Sequence, residues 1–282
     1  MLRYLSFFLI SLSFPAHSQE AQVNMLAQAE SFLTNEDTAR AVRTFQQVLN
    51  QYPDSYPAAL RLTEVYYLNE QYREAIQYSY VTEDILNRYI DSTRSQPDVS
   101  DRDIQRARRY SYDLADIQML KGKIRLKQNR PVDALHELNQ ALVHSDQPAD
   151  VYIDIGLASI SLGEYDAARK AFHTSLAIDR GNKGALFNLG NLYYTLKEYD
   201  SARHYYRETY EIYPSFKWPL LYLGNIATSD MEYDEAIDYY SAFIKIDSAS
   251  EEAHYRRAVL YSEMRQWESA INDWNKVLSI DP

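Results

Sequence analysis

Alanine recurs at positions 41, 75, 134, 168, 202, 236 and 270, and every interval but one is 34 residues. The exception, 59, equals 34 plus 25, so the chain reads as seven copies of one unit with a single insertion. A period of this length points to a solenoid, a propeller or a similar array, because one unit cannot bury its own apolar face and must stack on its neighbours. Aligned on the alanines, the copies are 22–55, 56–89, 115–148, 149–182, 183–216, 217–250 and 251–282, with the insertion at 90–114.

Each copy carries the pattern of two packed helices. Its eighth residue is small (Ala29, Thr63, Gly122, Gly156, Gly190, Gly224, Ala258), where a first helix must approach a second closely. Apolar residues four before and three after it, such as Leu186 and Tyr193, make an amphipathic stripe. The second helix repeats this with Ala202 and Tyr206, Ala236 and Tyr240, Ala270 and Trp274. Gly163 and the polar runs Lys197-Glu198 and Ser229-Asp230 mark the turns, and Pro53, Pro214 and Pro282 stand where second helices must stop. Seven glycines, nine prolines, no cysteine and no alternating strand pattern agree with an all-α chain. Many of the 26 tyrosines, including Tyr193, Tyr206, Tyr240 and Tyr261, fall on core positions as packing residues with a hydroxyl reaching outward.

The segment "ALFNLGNLYYTLKEYDSARHYYRETYEIYP" (185–214) resembles the tetratricopeptide repeat: a large residue, Leu-Gly, Tyr, a turn with Tyr, Ala, an aromatic and a closing Pro. The resemblance covers about nine tenths of the chain. Departures include Asn87, Asp146, Arg180 and Ser248 in place of the closing proline, and Pro131 in place of the turn aromatic. It implies a right-handed α-solenoid of helix-turn-helix repeats, non-catalytic, that grips a partner protein or extended peptide in a concave groove. A single array over 19–282 is expected.

The first residues, "MLRYLSFFLISLSFPAHSQE", hold Arg3, an apolar run from Tyr4 to Phe14, and Ala16-His17-Ser18. This is the pattern of a secretory signal peptide cut after Ser18, so 1–18 is expected to be a leader. The alternative is a buried first helix, but the repeat register begins only near Gln22. The run is too short to span a bilayer. No cysteine follows it for a lipid anchor, and the chain has neither a disulfide nor an Asn-x-Ser/Thr acceptor. A periplasmic or otherwise exported bacterial protein is the leading expectation, with a eukaryotic secretory protein second.

The formal charge is −11, which excludes nucleic-acid binding by bulk electrostatics. Residues 102–130 run against this trend, with nine Lys and Arg against three Asp. "STRSQPDVSD" (92–101) reads as a loop, and Asp101 as the N-cap of a long helix reaching about Gln128. Helical spacing puts Arg102, Arg106, Arg109, Asp113, Asp116, Leu120, Lys123 and Lys127 on one face. Such a cationic ledge suits an acidic peptide, a phosphate or an anionic polymer. The plainer alternative is a solvated face carrying an Arg109 to Asp113 pair.

In the family, first-helix positions 2, 5, 6, 9, 12 and 13 line the groove. In copies five to seven these hold Phe187, Asn188, Asn191, Tyr194, Trp218, Leu221, Tyr222, Asn225, Tyr255, Arg256 and Glu263. Aromatic faces with amides among them suit an extended peptide, since an amide both donates to and accepts from a main chain. These asparagines are equally ordinary consensus residues. The family's carboxylate clamp is not expected, because Phe187 and Glu252 occupy its lysine positions. A second possibility is a glycan, with Trp218, Tyr222 and Tyr255 stacking on sugar faces.

No catalytic motif or cofactor site emerges. His17, His136, His144, His173, His204 and His254 show no metal-ligand spacing, and there is no P-loop, G-x-G-x-x-G or G-x-S-x-G. Asp230, Glu232, Asp234 and Glu235 cluster at a turn and a helix start, where solvation and the helix dipole account for them. A glycan hydrolase using two facing groove carboxylates is the remote alternative. Finally, Trp274, Val277, Leu278 and Ile280 would have no following repeat to cover them, so either the array continues beyond Pro282 or this end stacks on another molecule.

Overall fold

The computed structural model describes residues 16–95 and 99–280. Arg3 and the Tyr4–Phe14 run of the expected leader lie outside them. Among the described residues all regular structure is α-helix, arranged as helix-turn-helix hairpins in two compact units that meet in sequence at Asp146 and Gln147. The first unit holds α1 (Ala16–Thr34), α2 (Thr38–Gln51), α3 (Tyr56–Leu68), α4 (Tyr72–Arg94), α5 (Asp101–Lys127) and α6 (Pro131–His144). The second holds α7 (Pro148–Ser161), α8 (Tyr165–Ile178), α9 (Lys183–Thr195), α10 (Tyr199–Ile212), α11 (Trp218–Ser229), α12 (Tyr233–Ile246), α13 (Glu251–Glu263) and α14 (Trp267–Ile280).

Local chemistry starts the helices. Asp37, Asn182 and Ser250 accept from backbone N–H groups three residues on, each meeting a donor that the helix cannot satisfy internally. Proline opens α6 at Pro131 and α7 at Pro148, positions where its missing N–H costs nothing.

Within each hairpin the small residue is a seat for the opposite helix. A Cβ placed on Gly190 would stand 2.6 Å from the Tyr206 ring, and one on Gly224 would stand 2.5 Å from Tyr240. Both tyrosines are essentially fully buried against these seats. Their hydroxyls do not reach solvent as free groups: each donates to an asparagine of the first helix, Tyr206 to Asn191 and Tyr240 to Asn225, both at 2.8 Å.

The turns repeat as faithfully as the alanines. A left-handed residue stands at 36, 70, 129, 163, 197, 231 and 265, with φ from 56° to 77°. In α11, for example, Met231 N–H donates to Thr228 O and Glu232 N–H to Ala227 O, the reversed pair of bonds that closes a helix through a left-handed residue. Only Gly163 and Asn129 are residue types that favour this conformation.

The insertion differs from expectation in two respects. The loop is shorter than 92–101, because α4 continues to Arg94: Ile90 and Thr93 carry its buried stripe onward from Ile85 and Leu86. The N-cap of α5 is Ser100, not Asp101. Ser100 Oγ accepts from Asp103 N–H while the Asp103 carboxylate reaches back to Ser100, so both residues satisfy a helix-end donor. As expected, α5 is long, and it ends at Lys127 with Gln128 as its cap.

Candidate functional site

The expected groove residues lie in the second unit, on α9, α11 and α13. There the rings form a connected lattice. Tyr222 stacks on Tyr206 with centroids 5.0 Å apart and meets Tyr194 edge-on at 5.4 Å, and Phe187 packs on Phe216, Tyr206 and Tyr222 at 5.0, 5.9 and 6.0 Å. Beyond it Trp218 sits edge-on to Phe243 and Tyr255 edge-on to Trp274, yet both rings stay half exposed, at 45% and 48%. Phe187 and Tyr222 are therefore held by neighbours, while Trp218, with Lys217 Nζ 5.0 Å from its ring centre, and Tyr255 keep half of their surface open.

The asparagines are more constrained than expected. Because Asn191 Oδ1 and Asn225 Oδ1 accept from Tyr206 and Tyr240, these side chains offer a partner their N–H donors. Asn188 is half-buried beside them. Arg256 bonds Glu252 through Nε and Nη2 at 2.5 Å, which fixes its guanidinium and offsets its charge. Leu221 packs against the core of α11 and α12, and Glu263 is exposed.

The acidic cluster has a partner not foreseen from sequence. Asp230, Glu232 and Glu235 converge on Arg203 at 2.6, 2.8 and 3.6 Å, and Glu235 also takes Arg207 at 2.8 Å. The Tyr239 hydroxyl and these guanidiniums hold the Glu235 carboxyl below the usual range.

On α5 the expected cationic face is divided. Arg102 and Arg109 are exposed at one end and Lys127 at the other; Arg106 leans on Asp103 at 3.5 Å, and Lys123 is half-buried. Between them Leu120 turns inward onto the core of Tyr56, Leu86, Ile90, Tyr110, Leu114 and Ile117. Asp113 turns inward as well. Burial pushes its carboxyl up to about 6 against the pull of Arg109, and its Oδ2 lacks a hydrogen-bond partner.

Lys121, one of the nine cations of residues 102–130, is 2% exposed. Its Nζ lies 2.7 Å from both Glu83 and Glu137 and 4.4 Å from the Tyr80 ring centre, tying α4, α5 and α6 together. A counterpart stands in the last copy: Arg257 binds Asp273 at 2.7 and 2.8 Å, and His254 Nδ1 meets the same carboxylate at 2.9 Å. Lys121 and Arg257 occupy the seventh position of their copies and Glu137 and Asp273 the twenty-third, where copy five has Leu189 and Tyr205. A charge at a seventh position that holds Leu62, Ile155, Leu189 and Leu223 in other copies was the signal available in the sequence.

On α14 the exposed apolar residues are Trp267, Ile271 and Leu278, a stripe on one face, whereas Trp274, Val277 and Ile280 are half-buried. Of the four residues expected on an uncovered end, Leu278 is the most open.

Tetratricopeptide-repeat profiles match residues 32–78, 147–215 and 252–282, together about half of the chain. No curated protein matches it in sequence. Among solved structures, PilW, a widely conserved type IV pilus biogenesis factor, is similar with a TM-score of 0.65 at 18% identity, over 84% of this chain and 98% of that one. The C-terminal part of a repeat protein from Cytophaga hutchinsonii gives 0.60 at 20%, over 91% and 95%. MamA from Desulfovibrio magneticus RS-1 gives 0.52 at 18%, over 59% and 94%. At such identities these likenesses bear on the fold. No described helix is long and apolar enough to cross a membrane. The 34-residue period, the glycine seats, the recurring left-handed turns and the matched profiles have one explanation: the chain belongs to the tetratricopeptide-repeat family.

Proposed function

We propose that the protein is a non-catalytic scaffold that holds an extended segment of a partner protein in the second unit, against Phe187, Asn188, Asn191, Tyr194, Trp218, Tyr222, Asn225, Tyr255 and Arg256. The observation that carries this is that Trp218 and Tyr255 stay half exposed while Asn191 and Asn225, whose Oδ1 atoms are taken by Tyr206 and Tyr240, keep N–H groups to donate. Rings bury side chains of the partner while the amides donate to its main-chain carbonyls. The ion pairing of Asp230, Glu232 and Glu235 supports a structural role for these carboxylates over hydrolysis. PilW is a pilus biogenesis factor, and a role in assembly or secretion at the cell envelope goes with the leader we propose over 1–18 and the single array we propose over 19–282. Export to the periplasm or beyond, without a lipid anchor, belongs to the same proposal, as does end-to-end stacking through α14.

Peptides selected from a displayed random library on the whole protein test the groove. Trp218→Ala with Tyr255→Ala should weaken the selected peptides about tenfold or more, the loss expected when central aromatic anchors are removed. Peptides that bind the double variant as well as the parent would sink the proposal. The exposed Trp218 and Tyr255 rings also suit sugar faces. A neutral oligosaccharide bound with the same variant sensitivity, with no peptide selected, would favour that second reading.

A further inference from the structure

The insertion builds a second surface on the first unit, whereas the groove residues belong to the second. A cleft of 670 Å³ opens where the end of α4, the start of α5 and the end of α6 meet. Val99, Ile104, Tyr112 and Val143 line it, and they are 41%, 47%, 36% and 72% exposed. Ile104 and Tyr112 are two turns apart on α5, so they lie on one face of that helix, with Ala107, Arg108 and Ser111 between them in the lining. Three of the four apolar residues come from the 25 residues that interrupt the repeat, where no regular hairpin partner requires them. Gathered apolar side chains left in water mark interaction sites, since single exposed ones are common but patches are not.

The charged side chains in the lining are of one sign. Arg94 and Arg108 are in the lining, both are exposed, and neither closes an ion pair among the described residues. No lining residue is acidic. In a chain of formal charge −11, two guanidiniums without an acidic partner beside an apolar lining leave a local positive charge that carboxylates can meet.

We propose that this cleft docks an acidic amphipathic helix of a partner protein, its apolar stripe on Ile104, Tyr112 and Val143 and its carboxylates on Arg94 and Arg108. A helix that presents apolar residues at i, i+3, i+4 and i+7 with carboxylates beside them matches both features together. The cleft shares no residue with the groove and would hold its partner by apolar and ionic contact instead of stacking and amide donors.

Fluorescence anisotropy on the full-length protein tests this with three synthetic 16-residue probes. One is a leucine-striped helix rich in glutamate, one has the same composition with the leucines scattered, and one keeps the stripe with lysine for glutamate. The striped acidic probe should bind, weaken steeply between low and physiological salt, and lose about tenfold or more in affinity on Arg94→Glu with Arg108→Glu or on Ile104→Asp with Val143→Asp. All four side chains are exposed, so the fold is retained, which circular dichroism checks. The lysine probe should recover binding to the arginine-reversed variant, and Trp218→Ala should leave the acidic probe unaffected. Equal binding of the scattered probe, indifference to both cleft variants, or no binding at all would overturn the proposal. So would pelleting with phosphatidylserine vesicles, or self-association in sedimentation, that depends on the same residues while the acidic probe stays unbound.

Discussion

At the residue scale, the hairpin turns and the glycine seats make opposite demands. Six of the seven turns hold a non-glycine residue at φ near 60°, where an L side chain costs roughly 1–2 kcal/mol. Met231 is 77% exposed and contributes little packing, so Met231→Gly should stabilise the second unit by roughly 0.5–1 kcal/mol, read as a shift in urea midpoint. An unchanged or lower midpoint would show that the side chain has a role beyond the turn. The reverse holds at Gly190, where a methyl group would press on the buried Tyr206 ring. Gly190→Ala should destabilise by about 1–2 kcal/mol, since the strain exceeds alanine's helical preference. The seats were legible in the sequence because small residues stood in register. The turns were less so: Glu36, Glu70, Lys197 and Arg265 are not turn-forming types, and only their shared spacing gives them away.

At the scale of the element, α5 shows why a helical face drawn from spacing needs its neighbours. The helix from Asp101 to Lys127 covers 27 residues, and the elements packed on its middle take Asp113 and Leu120 inward while leaving both ends in water. Lys121 was hidden for the same reason. Its charge suggested solvent, whereas its repeat position, shared with Leu189, calls for the core. Lys121→Met should cost unit one about 3–5 kcal/mol, because Glu83 and Glu137 would keep their burial and lose their cation. Adding Glu137→Leu should return part of that loss. Urea unfolding followed by tryptophan-independent circular dichroism measures both, and a neutral Lys121→Met would mean that water already screens the two carboxylates.

At the scale of the whole molecule, the two units carry titrations of opposite sign. Asp113 in the first is raised from 3.8 to about 6, so the folded state holds a proton that the unfolded chain releases, and stability declines as pH rises from about 4 to about 6. Asp273 in the second is held below its usual range by Arg257 and His254, so its contribution is present at neutral pH and fades as pH falls through that lowered value. Hydrogen exchange resolved by peptide should show Asp113→Asn flattening the slope between pH 4 and 6 in α5 while leaving α14 unchanged. A slope retained in the variant would assign it to another group. The repeat architecture was legible end to end from seven alanines, but the division into two compact units was not, since no glycine- or proline-rich linker separates Asp146 from Gln147.

The polar seat of the last copy bears on how such a chain can change by duplication. Copies five and six share Leu186 with Leu220, Leu189 with Leu223 and Tyr205 with Tyr239, so an in-frame loss or doubling of 34 residues there exchanges like for like. Copy seven has His254, Arg257 and Asp273 at those places, joined to one another. A recombination boundary drawn between α13 and α14 would strand an arginine or an aspartate in a leucine-lined core, so this hairpin can be inherited only whole.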